Sequence, residues 1–487
     1  MVAIVPLNSA SPTHVEDVES ELDPEQLAFV DSFLEEGQWE GGIATLDILR
    51  DTSVKPAPYH IRQLIYLALY PHKIESNAHT VEYEVQQQHT PTAEASKAAR
   101  DALTSFAYTN TPSSLFRGLP SYVFEDTGDG IYTLLDDNDN TDCDIGKASK
   151  RIKEARNIWE FLSEGFLRLD SASERAPQHG SRQHHNLPGQ STPIDSHAWE
   201  VLEWTVTVME KDEILTERTG KPRHSPLLLR QIPPSRSSFG GRWDVTMPME
   251  IIRYCLQENV ERRKDLGIRL LSILINVAIT DHMDAPMIFT AICSRIATLP
   301  PNIIDFVLIA LPQSPICAQF KVFLCRYLLK DPSTGAANNT GSRPKPSTKP
   351  PRPVPRRAGQ GASNPELGAT EPKFTVNSQT ASTLRPTTIE DVLRSLIQTP
   401  LSSNLSYIQQ LRIKEALVYS FAMAQRLPQA EGDTMALDRP HLSQREQLVQ
   451  AVEQSFVATS ILNAAELDEL ETTRAQLISF IRSFELD

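Results

Sequence analysis

Cysteine is scarce and unpatterned. The five residues, Cys143, Cys255, Cys293, Cys317 and Cys325, are odd in number and form no Cys-x-x-Cys pair. A zinc module of that kind is excluded, and no disulfide framework is expected. The last four lie in apolar stretches of helical spacing, where a thiol behaves as a small hydrophobe. The opening Met1-Val2-Ala3-Ile4-Val5-Pro6 lacks both a basic region and a long apolar run. The expected setting is therefore a reducing compartment.

Long hydrophobic runs are missing too. The most apolar stretch, 270–280, is followed by Asp281 and flanked by Arg269. It is about half the length needed to cross a bilayer, so a buried helix is expected and no membrane partner.

Positive charge is in deficit. Lys and Arg number 47 against 62 Asp and Glu, a formal net charge of −15. A duplex-binding surface neutralises phosphates with cations, so this chain is a poor general DNA binder. Within residues 1–50 there are Glu16, Asp17, Glu19, Glu21, Asp23, Glu25, Asp31, Glu35, Glu36, Glu40 and Asp47 against Arg50 alone. Such a stretch serves as a solvated acidic face or as a docking surface for a basic partner.

Catalytic patterns fail when their neighbours are checked. Asp126-Thr127-Gly128 is the aspartic-protease tripeptide, but that chemistry needs a second such aspartate to share a proton, and no second triplet occurs. Asp136-Asp137-Asn138-Asp139-Asn140 begins like a calcium loop, yet Thr141 and Lys147 stand where the turn glycine and the bidentate glutamate belong. Gly146-Lys147 resembles the end of a phosphate loop, but Thr141 and Ala148 replace its first glycine and its hydroxyl. His184-His185 lies in a polar stretch without neighbouring carboxylate or thiol. Asp281-His282-Met283-Asp284 sets carboxylates beside an imidazole, where an aspartate also simply caps the next helix. No His-Glu-x-x-His or Gly-x-Ser-x-Gly occurs. The expectation is a non-enzyme with no cofactor and no metal.

What is present is helical periodicity. The chain has 487 residues, 40% of them hydrophobic, enough for two or three domains at roughly 100–200 residues each. Asp23-Pro24-Glu25-Gln26 is a helix start, with a capping aspartate, proline in the first turn and Gln26 to close a capping box. Leu27, Val30 and Leu34 follow, then Gly37. Ile43, Leu46 and Leu49 mark a second helix; Ile61, Leu64, Ile65 and Leu69 mark a third, stopped by Pro71. Residues 72–92 are polar. A helix is expected from about Ala93 to Phe106, and a long one from about Lys147 to Leu169 with Ile152, Ala155, Trp159, Leu162 and Phe166 inward. Between them, Tyr122–Phe124 and Ile131–Leu135 flank a Gly/Asp turn, a β-hairpin or else a loop packed on helices. Residues 171–195 form a polar insertion, Trp199, Leu202, Val206 and Met209 mark another helix, and 219–246 is broken by Pro and Gly. Residues 247–330 hold about five helices punctuated by proline.

The fold class predicted is all-α. An acidic arm of 1–22, expected to be disordered, leads into an irregular HEAT/armadillo-like helical repeat body at 23–330. A disordered basic, Pro-rich linker at 331–386 separates it from a C-terminal helical bundle at 387–487. Successive helices with short connections carry the repeat reading, since no strict repeat is legible.

The strongest functional signal lies in the linker. Arg343, Lys345, Lys349, Arg352, Arg356 and Arg357 alternate with Pro344, Pro346, Pro350, Pro351, Pro353 and Pro355, with no acid between them. Basic runs in extended chain are what import receptors read. The same residues suit a polyproline ligand for an SH3-like groove, a soluble spacer, or weak nucleic-acid contact. Together these features predict a scaffold or adaptor subunit of a nuclear multiprotein complex, compatible with chromosome maintenance. Its partners are other subunits and an import receptor. A cytoplasmic trafficking or signalling adaptor and an unrecognised helical hydrolase around Asp281, His282 and Asp284 are the alternatives.

Overall fold

The computed structural model describes residues 19–71, 90–122, 143–167, 192–233, 244–278, 280, 283–329, 387–397, 405–426, 442–457 and 463–483. The chain divides into two compact units, Met1–Cys317 and Ala318–Asp487. Both are predominantly helical.

The first unit opens on β1 (Ser20–Glu21), α1 (Pro24–Glu35), α2 (Trp39–Arg50), β2 (Val54–Lys55) and α3 (Pro58–Leu69). The capping box at α1 forms as its sequence dictates: Asp23 Oδ1 accepts the Gln26 N–H at 2.8 Å, and Gln26 Oε1 accepts the Asp23 N–H at 3.1 Å. These bonds satisfy amides that a helix start leaves unpaired. Gly37, at φ 74°, then takes the left-handed conformation that ends the helix. The helix α3 is enclosed on nearly every face, with every residue from His60 to Leu69 buried. Two of its polar side chains reach Asp31 of α1. His60 Nε2 lies 3.0 Å from Asp31 Oδ1, and the Tyr59 hydroxyl donates to Asp31 Oδ2 at 3.0 Å.

The acidic arm is anchored before its expected end. Ser20 and Glu21 pair in parallel with Val54 and Lys55. The Glu19 carboxylate accepts the Thr111 N–H at 2.6 Å and the Thr111 hydroxyl at 2.8 Å. Arg117 grips Glu21 through two bonds of 2.7 and 2.8 Å, which outweigh the opposing effect of burial and hold the Glu21 carboxyl below its ordinary value. Backbone pairing with a distant segment is what fixes this stretch, and periodicity does not report it. Residues 1–18 lie outside the described residues.

Next come α4 (Ala93–Thr109), α5 (Pro112–Phe116), α6 (Asp144–Glu154) and α7 (Ile158–Leu162). Helix α4 packs along α2 and α3, and α6 along α3. Gly118 is required where the chain passes α3, since a Cβ there would sit 2.3 Å from the Pro58 carbonyl oxygen. The long helix expected from Lys147 to Leu169 is corrected. Ala155 is extended, at ψ 148°, and ends α6. Asn157 then caps α7 by accepting the Glu160 N–H at 3.1 Å. Two side chains draw the backbone out of the helix: Asn157 itself, and Gln231, whose Oε1 takes the Ile158 N–H at 3.0 Å. Of the residues expected inward, Ile152, Ala155, Trp159 and Leu162 are buried, whereas Phe166, beyond α7, is half-exposed.

The rest of the unit is α8 (Trp199–Arg218), α9 (Pro226–Leu229), α10 (Thr246–Gln257), α11 (Glu261–Val277), α12 (Ala285–Ile296) and α13 (Pro301–Ala310). Helix α14 (Pro315–Leu329) carries the chain past the division. Helices α10 and α11 pack on each other, and α11 on α8. Arg269 fastens α11 to α8 through Glu210 at 2.6 Å, and Asn276 donates to the buried Glu213 at 3.0 Å. Lys211 of α8 donates to the carbonyls of Ala107, Tyr108 and Asn110 at 2.8–3.1 Å, a cation satisfying the acceptors left open at the end of α4. The core is aliphatic and aromatic, with Trp159, Phe106, Phe161 and Phe289 fully enclosed. Burial of a side chain of this size contributes about 1.5–3 kcal/mol.

The second unit contains α15 (Ile389–Ile397), α16 (Tyr407–Arg426), α17 (Leu442–Ser455) and α18 (Ala464–Ser483). Val392, Leu396, Leu417, Val452, Phe456 and Leu477 form its core. Arg412 bonds Glu469 at 2.7 Å, and the Ser455 hydroxyl donates to the Leu396 carbonyl at 2.9 Å. Among the described residues, no helix is long and apolar enough to cross a membrane.

Candidate functional site

A cleft of about 490 Å³ opens in the first unit. One wall is the end of α7 and the turn after it, with Phe161, Glu164, Gly165 and Phe166; the other is the segment 192–199 leading into α8. Tyr254 of α10 and Arg263 of α11 close it.

The two walls are clasped by backbone bonds. The Asp195 N–H donates to the Leu162 carbonyl at 2.8 Å, and the Glu164 N–H to the Thr192 carbonyl at 3.2 Å. Gly165 turns the chain at φ 82°, a left-handed conformation that costs glycine little. Asp195 then holds the entry to α8. Its Oδ1 accepts the His197 N–H at 3.1 Å, and its backbone carbonyl accepts the Ala198 N–H at 3.0 Å. The Glu164 carboxylate receives both the N–H and the hydroxyl of Thr192, at 2.9 and 3.0 Å.

On the floor, the Trp199 ring stacks on Tyr254 with centroids 5.8 Å apart and planes at 18°. The Arg263 guanidinium carbon lies 4.2 Å from the centre of the Trp199 ring. Electrostatic attraction between cation and ring face orders this arginine, and Glu258 accepts its Nη1 at 2.9 Å. Burial, and then the neighbouring Glu258 carboxylate, push the Tyr254 phenol above its ordinary value, so it stays a neutral hydrogen-bonding group. The serine hydroxyls in the cleft are engaged within their own turns. Ser163 donates to the Glu160 carbonyl at 2.6 Å and Ser196 to Asp195 Oδ1 at 3.1 Å. The cleft presents aromatic faces, a guanidinium and polar backbone at its rim.

The linker cations Arg343, Lys345, Lys349, Arg352, Arg356 and Arg357 lie outside the described residues. So do Asp126-Thr127-Gly128, Asp136–Asn140, His184, His185, Asp281, His282 and the proposed hairpin beyond Tyr122. Asp284 caps α12, its Oδ1 accepting the Met287 N–H at 3.2 Å. Gly146 and Lys147 sit in the first turn of α6, where the Cys143 sulfur accepts the Gly146 N–H at 3.3 Å. Among the described residues no cluster of His, Cys, Asp or Glu is placed to hold a metal ion. Sequence reasoning read Trp199 as helix core and did not connect it with Tyr254 or Arg263. Their meeting is tertiary, and no spacing signal announces it.

Comparison with known proteins finds no matching family model, no matching curated protein and no matching solved structure.

Proposed function

We propose that this chain is a non-catalytic scaffold or adaptor subunit of a nuclear multiprotein complex. Its helices are read as an irregular HEAT/armadillo-like body that binds partners on its surface, with a second helical module joined through the basic, Pro-rich linker. The cleft carries this reading. Trp199, Tyr254 and Arg263 converge there, and Trp, Tyr and Arg are the side chains that dominate binding energy at protein interfaces. The occupant expected is a polypeptide segment of a partner subunit. Arg343, Lys345, Lys349, Arg352, Arg356 and Arg357 are assigned to an import receptor on charge and composition.

The test is purification of the tagged full-length chain from its native cell, beside a Tyr254→Ala/Arg263→Ala double variant. Both substitutions remove side chains at the cleft and leave the buried Trp199 in place. The reading expects a fixed set of stoichiometric partners, at least one of which is lost from the double variant while its melting temperature changes little. A partner set identical in both proteins contradicts a role for the cleft. A chain that purifies alone contradicts the scaffold reading itself.

A further inference from the structure

Serine or threonine precedes proline at Ser11, Thr90, Thr111, Thr192, Ser225, Ser314 and Thr399. Proline-directed kinases need that dipeptide at the surface, and the described residues separate these steps. Ser225 is fully buried. Thr111 and Thr90 each precede a buried proline. At Thr192 and Ser314 both the hydroxyl residue and its proline reach solvent. Ser314 accepts the Cys317 N–H at 3.2 Å at the start of α14. A phosphate there meets a helix N-terminus, which favours negative charge, and disturbs little.

Thr192 is different. Its hydroxyl donates to Glu164 Oε2 at 3.0 Å and is shared with the Ile194 carbonyl at 3.0 Å. Its amide donates to the same Glu164 oxygen at 2.9 Å. The hydroxyl is also a hydrogen-bonding neighbour of the Tyr254 phenol. Thr192 is thus the point where the cleft is latched.

We propose that Thr192 is the acceptor of a proline-directed protein kinase and that its phosphate unlatches the cleft. In the transfer, Thr192 Oγ1 attacks the γ-phosphorus of magnesium-bound ATP. The bond from that phosphorus to the bridging oxygen of ADP breaks, and the hydroxyl proton passes to the kinase's catalytic carboxylate. The products are phosphothreonine and ADP. The modified side chain has lost the hydrogen it gave to Glu164 and carries about −1.5 to −2 charge. That charge faces the Glu164 carboxylate at contact distance, so an attraction becomes a repulsion. Arg263 in the same cleft does not cancel it freely, being bonded to Glu258 at 2.9 Å. The bonds from Glu164 to Thr192 and from Asp195 to Leu162 are then lost together, with Gly165 as the pivot.

The experiment treats the full-length chain with a proline-directed kinase and magnesium ATP. Modified residues are mapped by mass spectrometry, and amide hydrogen exchange is followed in peptides covering 162–167 and 192–198. Thr192→Val and Glu164→Gln variants run in parallel. The expected result is near-stoichiometric phosphate on Thr192 and exchange at these amides faster by about tenfold or more. Thr192→Val should gain no such exchange under kinase. In Glu164→Gln, which keeps an acceptor but removes the charge, the phosphate should speed exchange distinctly less. Phosphate at Ser314 or elsewhere with none on Thr192 overturns the acceptor assignment. Phosphate on Thr192 with unchanged exchange overturns the latch.

Discussion

The side chain of Gln231 accepts the Ile158 N–H at 3.0 Å while donating to the Pro120 carbonyl at 2.9 Å. One buried amide thus joins three segments distant in sequence, and the Gln231 backbone carbonyl also accepts Trp159 Nε1 at 3.2 Å. This junction sets the break between α6 and α7 and so the position of the turn that forms one wall of the cleft.

Replacing Gln231 by Ala strands a buried donor and a buried acceptor. Each costs about 1–3 kcal/mol, so a destabilisation of about 2–6 kcal/mol is expected. All five tryptophans lie within Met1–Cys317, so urea unfolding followed by tryptophan fluorescence reports that unit. An unchanged midpoint would show that the junction contributes nothing.

Glu213 gives a pH prediction. Burial raises its carboxyl above the ordinary value, opposed by the bonds from Asn276 and Arg223. The folded state therefore keeps the proton to a higher pH than the unfolded chain does. This contribution to stability is fully present below the ordinary carboxylate value and is lost as pH rises through the raised one. Glu213→Gln cannot ionise, and its carbonyl still accepts from Asn276. Its stability relative to wild type should grow as pH rises from about 4 to about 8. A difference that stays flat, or falls, across that range contradicts the assignment.

The cysteines should sort by burial. Burial pushes the Cys255 and Cys325 thiols up to about 12, and thiolate is the reactive form. Cys143, half-exposed, is expected to take up iodoacetamide first in the native protein. Cys255, Cys293, Cys317 and Cys325 should react after denaturation. Mass spectrometry of the labelled chain checks this, and early labelling of Cys325 would contradict its enclosure.

The linker prediction concerns location. Replacing Arg356 and Arg357 by Ala in the fluorescently tagged full-length chain should move it from the nucleus toward an even distribution. An even distribution of the unaltered chain, unmoved by the substitutions, would count against import.

Helices held by local signals were legible. The capping box at Asp23-Pro24-Glu25-Gln26 predicts α1, and proline punctuation between apolar stretches predicts the five helices from α10 to α14. Both depend on neighbours in sequence. The break at Ala155–Asn157 was not legible, because apolar spacing continues through it and Gln231 acts from a distant segment. The pairing of Ser20 with Val54 is too short for a periodic pattern. The cleft was hidden for the same reason: Trp199, Tyr254 and Arg263 each read as an ordinary helix residue, and only packing of α8, α10 and α11 brings them together.

The proposed function places the chain inside an assembly. The most direct measurement is the native mass of the endogenous chain in nuclear extract, by size-resolved separation with quantitative identification of what comigrates. The account predicts a discrete species well above the 54.4 kDa of the single chain, with other subunits at fixed ratio. A species at the mass of the chain alone would contradict it.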